Sequence, residues 1–394
     1  MRFPKVFGAV LSAALCFAAS DAEAQSRWPD AWMEPQDTAE AVFESDMYAW
    51  RLFVALNWPG DPVKREADRN KSLGAPGPTT WETWRNANSE APDAIWRNDA
   101  ADPGPWNDAP VLVAMARSIK SFDVSLTQRR QAARMASRTF TRAPIVSAGA
   151  VDRSNEIRFN KGSYDAFRSA QLFKFEGIRD ALRAGNRTLN LPPMAKAIKA
   201  QWNKITEAQK PRYHWTEVLL ENGTKETFGL IALHITTKDL PNWFWTTFEH
   251  VDNKQPGRVL DGGESQGWQR PSVDRFACAT PPHDCDAIPA NIGLEGTKWA
   301  NYRLRGTQID YFNSLGEPTR LSNSILEQGL QQSSCISCHA KAASGAMFAD
   351  QTAPDERDLA PPKPGFFNDD DGKTRFIQTD FLWSLTQRPK PANP

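Results

Sequence analysis

Residues 214–237 read H-W-T-E-V-L-L-E-N-G-T-K-E-T-F-G-L-I-A-L-H-I-T-T, and residues 242–251 read N-W-F-W-T-T-F-E-H-V. Both stretches are rich in β-branched and aromatic residues, which favour strands. The dipeptide Asn222-Gly223 is typical of a hairpin turn. We therefore expect His214–Leu220 and Thr227–Thr237 to pair, and Asn242–Val251 to follow as a third strand. The centre of the chain thus predicts an antiparallel sheet.

Helical periodicity flanks this sheet on both sides. Apolar residues recur at helical spacing in Ala39–Leu56 and Ser163–Ala184, and Ser324–Gln332 predicts a shorter helix. Ser324 and Glu327 have the spacing of a capping box at its start. The predicted fold is α+β, with N-terminal helices, a central antiparallel sheet and a C-terminal helical segment packed on that sheet.

The most specific motif in the chain is Cys335-Ile336-Ser337-Cys338-His339. C-x-x-C-H is the attachment signature of a c-type haem. Its two thiols bond to one edge of the porphyrin, and the His that follows can bind the iron. Cys335 and Cys338 are therefore the predicted thioether anchors of one covalent haem c, and His339 is its predicted proximal ligand. A redox dithiol would be expected near a βαβ pattern, and a zinc site would need a second Cys/His pair, so the sequence favours neither.

The N-terminus predicts export. Residues 1–24 combine a charged start, a short apolar run and the cleavage site Ala22-Glu23-Ala24, as a secretory signal peptide does. A periplasmic or secreted location agrees with the motif, because haem c is assembled outside the cytoplasm. In such an oxidising compartment Cys278 and Cys285 are expected to form a disulfide across a Pro-rich loop, with two separate thiols as the alternative.

The sequence also predicts how the chain is divided into regions. We expect a signal peptide (1–24), a helical and loop-rich region with many tryptophans (25–200), an antiparallel β region with the disulfide loop (201–300), and a haem-attachment segment with a Pro-rich tail (301–394). The tail contains an apolar packing segment, Phe376–Leu385. The tryptophans of the second region are expected to pin loops onto the core rather than to line a ligand groove; they include Trp81, Trp84, Trp96 and Trp106.

Acidic and basic residues number 47 each, which gives no sign of nucleic-acid binding. No membrane span is predicted after the signal peptide.

The sequence leaves the second iron ligand open. The chain after His339 contains no His and one Met, Met347, which follows so closely that it would have to turn around the edge of the ring. His234 and His250 lie in two predicted neighbouring strands, and strand alternation is expected to place both on one apolar face. That face would form a haem wall, with His250 as the favoured ligand and His234 lining the pocket. The other histidines, His214 and His283, are weaker candidates.

Several segments together resemble a family of bacterial secreted monohaem cytochrome c proteins. They are F-V-A-L-N-W-P (53–59), W-E-T-W (81–84), L-H-I-T-T-K (233–238), W-F-W-T-T-F-E-H-V-D-N (243–253), Y-R-L-R-G-T-Q (302–308) and S-S-C-I-S-C-H-A (333–340). The resemblance spans most of the chain after the signal peptide. It implies a haem c protein, and it implies neither a substrate nor a second iron ligand.

Three functions are compatible with these features. The favoured one is an exported monohaem c-type cytochrome that transfers single electrons to an unknown periplasmic redox partner. A haem enzyme is the first alternative, since an open side of the iron with His234 or His250 as an acid/base group would allow peroxidase-like or other small-ligand redox chemistry. A haem-based sensor or binding module is the second.

Overall fold

The computed structural model describes residues 28–89, 91–108, 117–118, 153–219, 225–253, 288–323, 325–327, 333–348, 350, 352 and 359–392. Four sequence predictions lie outside these residues: the signal peptide, the Cys278–Cys285 disulfide, the candidate His283 and the Asn222-Gly223 turn. They stay predictions.

The described residues form a mixed α+β fold, so the predicted fold class is confirmed. The strands are β1 (Gly60–Asp61), β2 (Glu66–Ala67), β3 (Arg85–Asn86), β4 (Arg117–Ser118), β5 (Arg153–Phe159), β6 (Lys196–Lys204), β7 (Trp215–Leu219), β8 (Lys225–Thr237), β9 (Phe244–His250), β10 (Tyr302–Gln308), β11 (Ala343–Gly345) and β12 (Phe376–Gln378). The α-helices are α1 (Thr38–Phe43), α2 (Ser45–Leu56), α3 (Lys161–Ser169), α4 (Phe175–Arg183), α5 (Cys335–His339) and α6 (Trp383–Gln387).

The central sheet has eight strands, six of them in the order β10-β9-β8-β6-β5-β3. Strand β7 also pairs with β8, and β4 pairs with β7. All of these pairs are antiparallel except β4 with β7. The predicted strands correspond to β7, β8 and β9. Strand β6 crosses residue 200 and β10 follows residue 300, so the sheet draws strands from all three regions that the sequence predicted after the signal peptide.

One face of the sheet packs against α2, and we call it the helix face. The aromatic side chains of Trp50 and Phe53 in α2 contact Phe248 of β9, with ring centroids 5.0 and 4.3 Å apart. Tyr48 meets Phe244 in the same way at 5.0 Å. All five side chains are at most 1% exposed. Truncating one such aromatic residue to Ala typically costs about 3–5 kcal/mol, so this face holds much of the stability of the fold.

The opposite face carries α5, and we call it the motif face. His234 of β8 lies directly across from Thr247 of β9, and Trp245 of β9 lies across from Gln308 of β10. Residues directly opposite one another share a face, and neighbours along a strand alternate between faces. These four side chains therefore project from the side of the sheet away from Phe244 and Phe248.

Two predicted helices are each interrupted. The segment predicted as Ala39–Leu56 is α1 and α2, which meet at Glu44, where the backbone leaves helical geometry at φ −133°. The segment predicted as Ser163–Ala184 is α3 and α4, and Gln171 between them has φ 55°. A non-glycine residue in that left-handed region ends a helix.

The described part of the segment predicted as the Ser324–Gln332 helix is not helical, and Asn323 rather than Ser324 caps a turn there. The side-chain oxygen of Asn323 accepts hydrogen bonds from the backbone N–H groups of Ile325 and Leu326, at 2.9 and 3.1 Å. Glu327 reaches back to accept the Asn323 backbone N–H at 2.8 Å. Asn323 is thus the capping residue, and residues 325–327 form turns.

The C-terminal segment folds back onto the molecule. Strand β12 pairs with β11, and Ile377 and Leu385 of the predicted packing segment are fully buried. One apolar cluster runs from Ala31 to Leu385 and includes residues of both sheet faces. Within the described ranges, no helix combines the length and apolar character needed to cross a membrane.

Candidate functional site

The C-x-x-C-H motif forms the short helix α5. The side chain of Ser334 begins it by accepting the backbone N–H of Ser337 at 3.2 Å, as an N-cap residue does. Its apolar residue Ile336 is fully buried, whereas Cys335, Cys338 and His339 are partly exposed. The helix therefore buries its apolar side chain completely and leaves the three chemically active residues partly exposed.

Gln308 of β10 holds the start of α5 on the motif face. Its amide nitrogen donates to the hydroxyl oxygens of Ser334 and Thr319, both at 2.8 Å. Its amide oxygen accepts the backbone N–H of Ile336 at 3.1 Å. Gln308 is 3% exposed, so these bonds are made away from water, where an unmade bond would be costly.

His339 is held at the other end of α5. Its Nδ1 lies 2.7 Å from the backbone oxygen of Phe381, and its ring centroid lies 4.6 Å from that of Trp245. A carbonyl oxygen can only accept, so Nδ1 carries the proton and Nε2 has a lone pair. Burial lowers the pKa of His339 to about 4; the bond to Phe381 opposes this shift, and the charges of Lys199 and His234 reinforce it. His339 is thus a neutral imidazole whose orientation and tautomer are set by a backbone group, as in many metal-binding histidines.

The two thiols of the motif are not joined to each other by a disulfide. The Cys335 thiol donates to the backbone oxygen of Leu321 at 3.1 Å. Burial raises the pKa of Cys335, and the charge of Glu327 and the neighbouring Cys338 raise it further. A dithiol redox site needs a lowered thiol pKa. Among the described residues, no three His, Cys, Asp or Glu side chains are grouped as around a zinc ion.

A second imidazole lies on the motif face beside α5. Nε2 of His234 is 3.0 and 3.1 Å from the two carboxylate oxygens of Glu327. Burial alone would raise the pKa of Glu327, but the charge and hydrogen bond of His234, with help from Lys199, lower it to about 2. The carboxylate of Glu327 is therefore ionised at neutral pH and fixes the orientation of His234.

The sheet and the capped turn together fix this pair. The side-chain nitrogen of Asn323 donates to the hydroxyl of Thr247 at 2.7 Å, and Asn323 also donates its backbone N–H to Glu327. Thr247 and His234 are cross-strand neighbours. The charges of His234 and Lys199 act on the pKa of His339, and the charge of Glu327 acts on that of Cys335. His234, Glu327 and α5 thus share one electrostatic neighbourhood.

The expectation that His234 and His250 share a face is wrong. His234 lies across from Thr247, three residues before His250, and an odd separation along a strand reverses the face. His250 is instead on the side of Phe244 and Phe248, while Ala232 is on the side of His234.

His250 is fully engaged in structural contacts. Its ring stacks on Tyr213 with centroids 3.6 Å apart. Its Nε2 donates to the backbone oxygen of Arg212 at 3.0 Å, and its Nδ1 accepts the backbone N–H of Asp252 at 3.1 Å. Burial lowers its pKa, so His250 is a neutral, buried imidazole with both nitrogens in use.

Two of the weaker candidates, His214 and Met347, lie within the described residues. His214 contacts the carboxylate of Glu82 at 2.7 Å and stacks on Trp299. Met347 lies beyond β11 and is 72% exposed. The four tryptophans that were expected to pin loops are at most 7% exposed, which agrees with that expectation.

The sequence did not predict several of the residues that surround α5. Gln308 and Trp245 lie in segments that carry the family resemblance, but nothing in the pattern indicated contact with α5. The carbonyl of Phe381 has no sequence signal, because any residue could supply it. Glu327 was assigned a capping role alone, and Lys199 lies in β6, a strand that was not predicted.

Comparisons with protein-family models, with curated proteins and with solved structures found no match for this chain.

Proposed function

We propose that this chain is an exported monohaem c-type cytochrome that transfers single electrons. Cys335 and Cys338 would anchor the haem through thioethers, and Nε2 of His339 would bind the iron. Bound haem c supplies an iron that accepts and releases one electron. The observation that carries the proposal is the hydrogen bond from Nδ1 of His339 to the Phe381 carbonyl. Because Nδ1 holds the proton, Nε2 has the lone pair with which an imidazole binds a haem iron.

The residues present fit this prosthetic group. Cys335 and Cys338 are both partly exposed, and no disulfide joins their sulfur atoms. The pKa of His339 is low enough to keep the imidazole neutral, so no proton has to leave before Nε2 binds the iron. The ordered contacts of Gln308, Trp245 and Phe381 with α5 hold these side chains on a buried sheet. A rigid support of this kind keeps the reorganisation energy of electron transfer small, because the side chains around the iron would move little.

As a second imidazole that would hold the iron, we favour His234 over His250, in contrast to the sequence expectation. His234 shares the motif face and the electrostatic neighbourhood of His339, whereas His250 lies on the helix face with both nitrogens in use. Glu327 would orient His234 as outer carboxylates orient metal-binding histidines.

The same pair supports a second candidate, a haem oxidoreductase. A histidine that is hydrogen-bonded to an ionised carboxylate can accept and return a proton, and His234 with Glu327 has this arrangement. In that case His234 would move a proton at a small ligand rather than bind the iron.

Optical spectra of the purified protein test the proposal and separate the two candidates. A low-spin spectrum in both oxidation states, with slow binding of CO and no reaction with peroxide, supports the electron carrier. A high-spin spectrum with rapid CO binding and peroxide turnover supports the oxidoreductase. A protein that binds no haem when made in a periplasm with cytochrome c maturation would contradict both.

A further inference from the structure

Three buried arginines cluster in the tryptophan-containing region, at the opposite edge of the sheet from β10. They are Arg65, Arg85 in β3 and Arg158 in β5, which are 3%, 0% and 0% exposed. Burial lowers the pKa of Arg65 to about 10; the charge of Asp93 opposes that shift, and the charges of Arg85 and Arg158 add to it. The three guanidinium groups are thus close enough to repel one another.

Arg158 is neutralised within this cluster. Its Nη1 donates to the carboxylate of Asp93 at 2.9 Å, and its Nε donates to the carboxylate of Glu156 at 2.7 Å. Both carboxylates are buried as well. Two anions therefore surround one cation, as a buried charge requires.

Among the described residues, Arg85 has no carboxylate partner. Its Nη2 donates to the backbone oxygen of Pro103 at 2.5 Å and to the hydroxyl of Tyr164 at 2.7 Å. Both acceptors are uncharged, and the hydroxyl of Tyr164 itself donates a hydrogen bond to the carbonyl of Gly104. Within the part of the chain that the structure describes, Nε and Nη1 of Arg85 are buried and have no hydrogen-bond partner. A buried cation with unmade hydrogen bonds is strongly unfavourable, and such a group commonly marks a bound ion or water.

Aromatic rings border the two cations. The guanidinium carbon of Arg85 lies 4.6 Å from the ring centroid of Tyr164, and that of Arg65 lies 5.4 Å from the ring of Trp106. The two rings contact each other at 5.3 Å. The Arg85 donors are thus fixed in place and flanked by a second positive charge.

We propose that Arg85 binds a small oxyanion, either an inorganic one or a carboxylate, through Nε and Nη1, with Arg65 adding positive charge. Guanidinium groups suit planar or tetrahedral oxyanions because they present several N–H donors in a fixed plane. The site lies on β3, at the other end of the strand order from β10, and does not depend on haem.

The test is calorimetric titration of the full chain, exchanged into chloride buffer, with sulfate, phosphate or acetate at constant ionic strength. We expect saturable one-to-one binding of at least one of them, quenching or enhancement of tryptophan fluorescence, and at least tenfold weaker binding by Arg85→Lys. The matched control is Arg168→Lys, which alters an exposed arginine paired with Asp102 and should bind like wild type. Acetate binding alone would identify a carboxylate ligand, and sulfate or phosphate binding an inorganic one.

Two results would overturn the proposal. The first is the lack of saturable binding of all three anions by wild type, together with no anion released when the purified protein is denatured; water would then satisfy Arg85. The second is binding that Arg85→Lys and Arg168→Lys weaken equally. If Arg85→Lys does not fold, the wild-type titration and the anion-release assay decide the matter without it.

Discussion

Trp245 and Gln308 face each other across β9 and β10 and contact opposite ends of the C-x-x-C-H helix. Trp245 packs on His339 at 4.6 Å, and Gln308 bonds to Ser334 and to the backbone of Ile336. One cross-strand pair thus sets where the motif sits on the sheet. This is how a helix of only five residues, too short to be stable by itself, is held in a defined orientation.

Replacing Gln308 by Leu should destabilise the protein and lower the yield of haem-loaded chain. The change removes three hydrogen bonds and leaves buried partners unsatisfied, at a cost of about 1–3 kcal/mol. Urea denaturation measures the first effect and the absorbance ratio of haem to protein the second.

The control is the neighbouring residue on the other face. Thr307 bonds to Ser45 and Asp46 of α2, so Thr307→Ala should reduce stability without changing haem loading. Equal loading of Gln308→Leu and wild type would show that the Gln308 contacts do not hold the motif.

Replacing His234 by Ala should convert a low-spin haem into a high-spin form that binds CO. Replacing His250 by Ala should leave the spectrum unchanged, because His250 lies on the helix face. It should instead lower the free energy of unfolding by about 1–3 kcal/mol, since it leaves buried backbone groups of Arg212 and Asp252 without their partners.

Met347→Ala is the control for this pair, because Met347 is largely exposed and should not affect the iron. Conversion to high spin by His250→Ala or Met347→Ala, with His234→Ala unchanged, would show that His234 is not the ligand.

The free energy of unfolding should fall at acidic pH, because the carboxylate of Glu327 becomes protonated there. Its pKa is about 2 in the folded state, below that of an unfolded glutamate near 4.5. The stabilisation from the ionised carboxylate is therefore complete above about pH 4.5 and is lost as the pH falls towards 2. It is on the order of 3 kcal/mol.

Denaturation of wild type and Glu327→Gln at a series of pH values measures this effect. The difference between the two should be largest near neutral pH and should vanish below the folded pKa. Glu207→Gln, which changes a largely exposed side chain, should show no such pH dependence. A constant difference between wild type and Glu327→Gln across this range would exclude the ionised carboxylate as its source.

The fold class and the three central strands follow from the sequence because β8 and β9 are built from β-branched and aromatic residues. Strand β6 was not predicted, since K-A-I-K-A-Q-W-N-K alternates lysines and amides with apolar residues and resembles an exposed segment. Lys199 and Gln201 of β6 lie on the motif face, whereas Lys196 is buried on the helix face, where it pairs with Glu34 and Asp239. Strands β5 and β10 carry arginines at buried positions, and the charge of Arg158 is balanced in part by Asp93, which lies far away in sequence.

The motif and the roles of its residues could be predicted, because covalent chemistry constrains its spacing. The residues that surround the motif could not be predicted. Which face a histidine occupies depends on strand register, and a shift of one residue moves every side chain to the other side. The assignment of His250 depended on such a register, whereas the contacts of His339 with Phe381 and of His234 with Glu327 join residues far apart in sequence.

The central claim is a single haem c bound through Cys335 and Cys338. The most direct measurement is haem staining after denaturing electrophoresis, with a pyridine haemochrome spectrum, of protein exported into a periplasm that carries cytochrome c maturation. We predict one haem per chain that survives denaturation in wild type and none in the Cys335→Ala, Cys338→Ala double variant. Wild type without covalent haem, or a double variant that retains it, would contradict the claim.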